Sequence, residues 1–177
     1  HPKCQVYSTV KRGQTWDEPA ILPFCKDSFS YGHPALSKDE KVMIFSSDLK
    51  DSLNPGYGGL DLYYVTFDPK TKTWSKDPVN LGPEINTPED EVFPFLHYDG
   101  TLYYATKGLL GMGVLDIFKA ASNGDKKWVK PENMQYPINS SGDDYGIVFE
   151  TDNERGYLSS TRAGGKGGDD IYAFTLP

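Results

Sequence analysis

The chain has 177 residues, enough for a domain with a sizeable core, and carries a net charge of −7 with a pI near 4.9. Because binding to phosphates or anionic lipids needs clustered Lys and Arg, we expect no nucleic-acid partner and no docking on an anionic membrane. No apolar run approaches the ~18 residues that span a bilayer, so no direct membrane insertion is expected. The first residues, HPKCQVY, lack the basic and apolar stretches of a secretory signal, and we expect a piece of a longer protein.

Three similar segments, GGLDLYYVTF, GVLDIFKAAS and GGDDIYAFTL, recur along the chain. Their central aspartates, 55 and 54 residues apart, are Asp61, Asp116 and Asp170. Tryptophans recur at a similar spacing as Trp16, Trp74 and Trp128. Repeats of this length, rich in aromatic residues and broken by Gly and Pro, are typical of propeller blades. The sequence therefore predicts an all-β β-propeller of four-stranded antiparallel blades.

Strand patterns follow the same order in each repeat. QVYSTVK opens the chain as a third strand, and the next repeat has a first strand at Ala35–Leu36, then VMIFSS, LDLYYVTF and an outer strand at Trp74. The following repeat has EVFPFLHY, a tight turn at Asp99–Gly100, TLYYAT and LDIFKAAS. The last has DYGIVFET, a turn around Asn153, GYLSSTR and DDIYAFTL.

These patterns divide one propeller domain into four parts. We assign residues 1–32 to a partial blade, 33–82 and 83–137 to full blades, and 138–177 to a blade without its fourth strand. About three full blades plus a partial one do not close a ring, and an open ring leaves unpaired strand edges. We expect that upstream strands are missing from this chain, or that a partner covers the edge.

The long connections all fall on one side in an up-and-down arrangement. They run from second to third strand (DLKDSLNPGYGG, KGLLGMG, RAGGKGG) and into the next repeat (NLGPEINTPEDE, MQYPINSSGDD). Because binding residues concentrate on loops held by a rigid scaffold, this long-loop face is the candidate surface.

The repeated aspartates Asp61, Asp116 and Asp170 have two interpretations. They either form a carboxylate cluster or accept backbone N–H groups of their own loops, and we expect the second. The acidic pairs Asp90–Glu91 and Asp143–Asp144 follow Ile-Asn-Thr/Ser segments and are expected near the channel mouth. Such pairs either bind Ca²⁺ or order the loops, although no DxDxDG motif is present. The candidate partner-binding residues are Asn86, Asp90, Glu91, Asn139, Asp143, Asp144 and Arg162.

Catalytic and cofactor motifs fail on inspection. The loops GLLGMG and AGGKGGDD lack the spacing of phosphate-binding loops, although Arg162 and Lys166 could form a basic patch for an anionic partner. There is no GxSxG element, and His1, His33 and His97 lack recognisable Ser and Asp partners. We expect no enzyme activity, no cofactor and no metal.

Two cysteines flank the hairpin whose turn is KRGQ. Cys4 and Cys25 are expected to lie roughly opposite each other, and they form a disulfide in an oxidising compartment or remain two free thiols.

The segments HPALSKDEKVMIFSSD, GYGGLDLYYV, NLGPEINTPEDEVFPFLHYDGTLYYAT and GYLSSTRAGGKGGDDIYAF cover most of the chain. They resemble the WD-like (PD40-type) propeller repeats of OmpA-family envelope proteins of Bacteroidetes, including the PorE-like component of the type IX secretion system. The first copy departs from the pattern, with Gln5 where Asp is expected.

This resemblance implies residence in the periplasm in association with the outer membrane, and partners among periplasmic or outer-membrane proteins. It implies peptidoglycan contact only through domains that this chain does not contain. The expected function is a non-catalytic interaction scaffold, and the alternative is the propeller domain of a peptidase or a carbohydrate-active enzyme.

Overall fold

The computed structural model describes residues 3–151 and 154–176, and within these the chain consists of antiparallel strands, turns and loops without a helix. No segment of this part is therefore a helix able to cross a membrane. The strands form several small sheets, and none of these sheets closes on itself. The predicted all-β class is confirmed.

The N-terminal part holds two groups of strands. The first sheet pairs β1 (Tyr7–Ser8) with β4 (Ala20–Ile21), and the short hairpin β2 (Lys11–Arg12) and β3 (Thr15–Trp16) extends it. The second sheet contains β5 (Tyr31–Leu36), β6 (Val42–Ser47), β7 (Asp61–Asp68), β8 (Thr73–Trp74) and β9 (Val79–Asn80). Both β8 and β9 pair with β7, so the predicted outer strand at Trp74 is split in two.

The C-terminal part repeats this arrangement twice. The third sheet contains β10 (Glu91–Leu96), β11 (Leu102–Thr106), β12 (Asp116–Ala120) and β13 (Glu132–Asn133). The fourth sheet contains β14 (Asp144–Phe149), β15 (Arg155–Ser160) and β16 (Asp170–Thr175). The turn predicted around Asn153 lies outside the described residues, as does His1.

The register makes positions in the last three sheets equivalent. Asp61 pairs with Ser47, Asp116 with Thr106 and Asp170 with Ser160. Residues at the same distance from these aspartates therefore occupy the same place in their sheets.

The first strand of each of these sheets contains a β-bulge. The pairing shifts after Gly32, Val92 and Tyr145. The residue that follows has a positive φ: 50° at His33, 51° at Phe93 and 62° at Gly146. Because a positive φ strains residues with a Cβ, these bulges depend on the surrounding packing. The first strand of the second sheet also begins earlier than predicted, at Tyr31 rather than Ala35.

The core lies between successive sheets. One cluster joins the first and second sheets, the next joins the second and third, and the last joins the third and fourth. For example, Ile44 and Leu62 pack against Leu102 and Phe118, and Ile117 packs against Leu158. Since each sheet buries apolar side chains against its neighbours, the hydrophobic stabilisation is shared along the chain.

The two cysteines are free thiols. Cys4 is exposed, whereas Cys25 is half-buried and its Sγ lies 3.8 Å from the carbonyl oxygen of Val6. The expected opposition fails because the β1–β4 ladder ends at Leu22, whose N–H bonds Val6, and the chain then turns back so that Cys25 N–H bonds Leu22. Burial raises the pKa of the Cys25 thiol.

Candidate functional site

The repeated aspartates order the loops that precede the third strands. Asp61 accepts hydrogen bonds from the N–H groups of Tyr57 and Gly58. Asp116 and Asp170 each accept two N–H groups at the equivalent positions of their own loops. The expectation that these carboxylates hold their own loops is confirmed.

Asn86 and Asn139 clamp the third strand of the sheet before them. Asn86 Oδ1 accepts the N–H of Leu62 at 2.8 Å, and its Nδ2 donates to the carbonyl of the same residue at 3.0 Å. Asn139 makes the same two bonds to Ile117, at 2.8 and 2.9 Å. Both asparagines are buried, so their polar groups bind the protein's own backbone.

A second asparagine supports each clamp. Asn86 Nδ2 also donates to Asn80 Oδ1, and Asn139 Nδ2 donates to Asn133 Oδ1. In the sequence this is an Asn, four residues and then Ile-Asn: NLGPEIN and NMQYPIN. The repeated Ile-Asn was visible in the sequence, but its strand-clamping role follows only from the fold.

The second members of the acidic pairs are buried at the starts of β10 and β14. Glu91 accepts bonds from the N–H and hydroxyl of Thr87 and from the hydroxyl of Thr106. Asp144 accepts the N–H and hydroxyl of Ser140 and the hydroxyl of Ser160. The two carboxylates therefore do the same work, fixing the loop that enters each sheet.

Charge compensation differs between these two sites. Arg162 Nη2 lies 2.6 Å from Asp144 Oδ1, and the position equivalent to Arg162 in the third sheet is Gly108. Without such a cation, burial raises the pKa of Glu91 to about 7. Glu91 is thus a carboxyl that titrates near neutral pH.

The first members of the acidic pairs are half-exposed and join neighbouring loops. Asp90 accepts the N–H of Leu60, and Lys107 Nζ lies 2.7 Å from its other oxygen. This ammonium lowers the pKa of Asp90. Asp143 accepts the N–H of Leu115 in the same way. Each carboxylate ties the loop of one sheet to the entry of the next.

Arg162 points into the protein. Its guanidinium donates to the carbonyls of Pro137 and Ile138 as well as to Asp144, and it lies 5.0 Å from the ring centre of Tyr172. Lys166, in contrast, is exposed. The two residues do not form the basic patch that the sequence suggested, because Arg162 is engaged by the loop entering its own sheet.

The seven candidate residues thus fall into two groups. Asn86, Glu91, Asn139 and Asp144 are buried, while Asp90, Asp143 and Arg162 are partly exposed. All seven bind groups of the chain itself. They organise the long-loop face, and the buried four do not reach its surface. In residues 3–151 and 154–176, no group of three or more His, Cys, Asp or Glu side chains is placed to hold a metal ion.

The loops also carry large apolar side chains, which the sequence interpretation passed over. Leu110 is 96% exposed, and Met112 and Val114 on the same loop are exposed as well. Leu53 and Tyr57 are exposed on the preceding long loop, and Tyr136 on the next. Apolar residues on neighbouring ordered loops are a common feature of interaction surfaces.

A second feature, missed in the sequence, is a ring stack along the first strands. Phe93 stacks on His33 on one side and Tyr145 on the other, with centroids 3.9 and 4.9 Å apart. These rings adjoin a groove of about 300 Å³ lined by the bulges of β5, β10 and β14. Burial lowers the pKa of His33. Alternation patterns predict unbroken strands, so they gave no signal for rings brought together by bulges.

Comparison with known proteins identifies no family. No protein-family model matches the chain, and no curated protein matches it. A functional assignment therefore depends on the geometry of the loops and sheets.

Proposed function

We propose that this chain is a non-catalytic interaction scaffold of the bacterial cell envelope, built as an open β-propeller whose long-loop face binds partner proteins. The sheets are its blades, and their mutual packing supplies the stiffness. The chain acts in the periplasm at the outer membrane, in a secretion or peptidoglycan-anchoring assembly, in keeping with the WD-like repeats that its sequence resembles.

The observation that carries this proposal is the repeated loop network. Equivalent Asp and Asn side chains tie each long loop to the entry of the next sheet, through Asp90 to Leu60 and through Asp143 to Leu115. These polar groups accept backbone N–H groups, and the apolar side chains of the same loops remain exposed. A pre-ordered loop surface lowers the entropy lost on binding.

The contact residues of this surface are Leu110 and Met112, and the acidic and amide residues act as positioning residues. The test is affinity purification from detergent-solubilised cell envelope of the source bacterium, with mass spectrometry of the retained proteins. We expect the native chain to enrich defined periplasmic or outer-membrane proteins, and a Leu110→Ser, Met112→Ser variant to lose them. Tyr98→Ser is the matched control, since Tyr98 is an exposed residue in the short turn after β10. Retention of the same proteins by the loop variant would refute the proposed face.

The enzyme alternative is separated by the acidic pairs. An Asp90→Ala, Asp143→Ala variant of a scaffold loosens the loops and weakens partner binding. A catalytic domain would instead convert peptide or glycan substrates, and one acid would abolish turnover while its repeat equivalent was tolerated. Such turnover would replace the scaffold proposal.

A further inference from the structure

The outer edge of the third strand is covered in two sheets. In the second sheet, β9 pairs with β7 through Val79–Tyr64 and Asn80–Tyr63, and in the third sheet β13 covers β12 in the same way. The clamps of Asn86 and Asn139 then close the edge at Leu62 and Ile117. Each edge therefore receives a short strand followed by Ile-Asn.

The equivalent edge of the fourth sheet is bare. Among the described strands, β16 pairs only with β15. The N–H of Leu176 bonds the carbonyl of Glu154. Because bonding alternates along an antiparallel ladder, the backbone groups of Ile171, Ala173 and Thr175 point away from β15. These are the groups that a further strand would bind.

The side chains beside this edge have the character of an interface. Ile171 is 77% exposed, whereas Leu62 and Ile117 at the equivalent positions are fully buried. Tyr157 is 43% exposed, whereas its equivalent Tyr103 is 8% exposed. Apolar residues thus persist at positions that are buried elsewhere in the chain.

The glycine three residues before each repeated aspartate shows the same difference. A Cβ atom at Gly58 would lie 2.2 Å from the backbone of Pro88, and one at Gly113 would lie 2.0 Å from that of Gly142. At Gly167 the nearest atom would be 3.5 Å away, within the same loop. Space for an incoming loop is therefore present beside the fourth sheet.

We propose that the edge of β16 is a strand-acceptor site for an extended segment of a partner protein that carries the pattern Asn, four residues, Ile-Asn. The partner strand pairs with Ala173, and its Ile-Asn clamps the N–H and carbonyl of Ile171. Strand addition of this kind takes affinity from backbone bonds and specificity from side chains. The site lies on a sheet edge away from Leu110 and Met112, so it stands independently of the scaffold proposal.

The test uses the full chain and a synthetic peptide with the sequence of residues 78–88, PVNLGPEINTP. Hydrogen exchange and NMR titration report on the amides of Ile171 and Ala173. We expect saturable binding with slower exchange at these two amides. A peptide with Ala at both asparagines should bind about tenfold more weakly or worse, since each hydrogen bond contributes about 1 kcal/mol.

The acceptor is tested with Ala173→Pro. This change removes an outward N–H without disturbing the ladder to β15, and proline is tolerated on edge strands. We expect an unchanged melting temperature and loss of peptide binding. If this variant unfolds, Ile171→Asp on the exposed edge replaces it.

Two results would overturn the proposal. One is the absence of any exchange or shift change at millimolar peptide, and the other is equal binding of the Ala-substituted peptide. Concentration-dependent association of the chain through β16, seen by light scattering and abolished by Ala173→Pro, would identify a second copy as the occupant instead.

Discussion

Glu91 and Asp144 occupy the same repeat position but differ in what balances their charge. Arg162 lies against Asp144, whereas Glu91 has only hydroxyl and N–H donors around it. A buried carboxylate without a cation favours its protonated form. At the residue scale, a single change of neighbour therefore makes Glu91 sensitive to pH while Asp144 is held in an ion pair.

This difference predicts a pH-dependent contribution of Glu91 to stability. Its pKa rises from 4.5 to about 7 on folding, so its stabilising contribution is complete below pH 4.5 and is lost as the pH rises through 7. At 1.36 kcal/mol per pKa unit the loss is about 3 kcal/mol. Denaturant unfolding from pH 4 to pH 8 should show this decline in the native chain and not in Glu91→Gln. The exposed Glu84→Gln should keep the native profile, and an unchanged profile in Glu91→Gln would contradict the assignment.

Asn139 is predicted to be a major stabilising residue. Its replacement by Ala leaves the buried N–H and carbonyl of Ile117 without their partner. An unsatisfied buried group costs about 1–3 kcal/mol, so we expect a loss of about 2–4 kcal/mol in the free energy of unfolding. Urea denaturation measures it, with the exposed Asn123→Ala as control, for which less than about 0.5 kcal/mol is expected.

At the scale of elements, the long loops are fixed by the sheet that follows them. The backbone of Gly59 donates to Glu89, and that of Lys107 donates to Asp90. Glycines at these crossings leave room for the neighbouring backbone. Loop order is therefore a property of two adjacent sheets rather than of one loop sequence.

The glycines at equivalent positions provide a matched test of this dependence. Gly58→Ala and Gly113→Ala force a Cβ into backbone atoms of the next loop, and each should destabilise the chain by about 1–3 kcal/mol. Gly167→Ala has no such neighbour and should be nearly neutral. Thermal unfolding of the three variants distinguishes these cases, and equal effects at all three positions would show that the loops do not press on each other.

At the scale of the whole molecule, stability resides between sheets and declines at the ends of the array. The first sheet exposes Tyr7 and Trp16, and the fourth exposes Ile171, whereas the middle interfaces are buried. Each sheet contacts only its neighbours, so the free energy of unfolding is close to a sum of interface terms.

Ile117 and Ile171 test this view, because they share residue type and repeat position. Ile117 is fully buried between the third and fourth sheets, and its replacement by Ala should cost about 2–5 kcal/mol. Ile171→Ala should change the free energy of unfolding by less than about 0.5 kcal/mol. Denaturant unfolding measures both variants, and a large loss in Ile171→Ala would mean that the end sheet is covered in solution.

The sequence by itself determined the β class, the repeat and the loop-holding role of Asp61, Asp116 and Asp170, because alternation, turn residues and an acceptor close to its own loop are local signals. Only the tertiary structure decided that Asn86, Asn139, Glu91 and Asp144 are buried, since their surroundings come from residues about 15 to 25 positions away. The same holds for the inward turn of Arg162, the ring stack of His33 and Phe93, and the separation of Cys4 from Cys25. Burial and charge compensation depend on which sheet packs against which, and a local pattern carries no record of that packing.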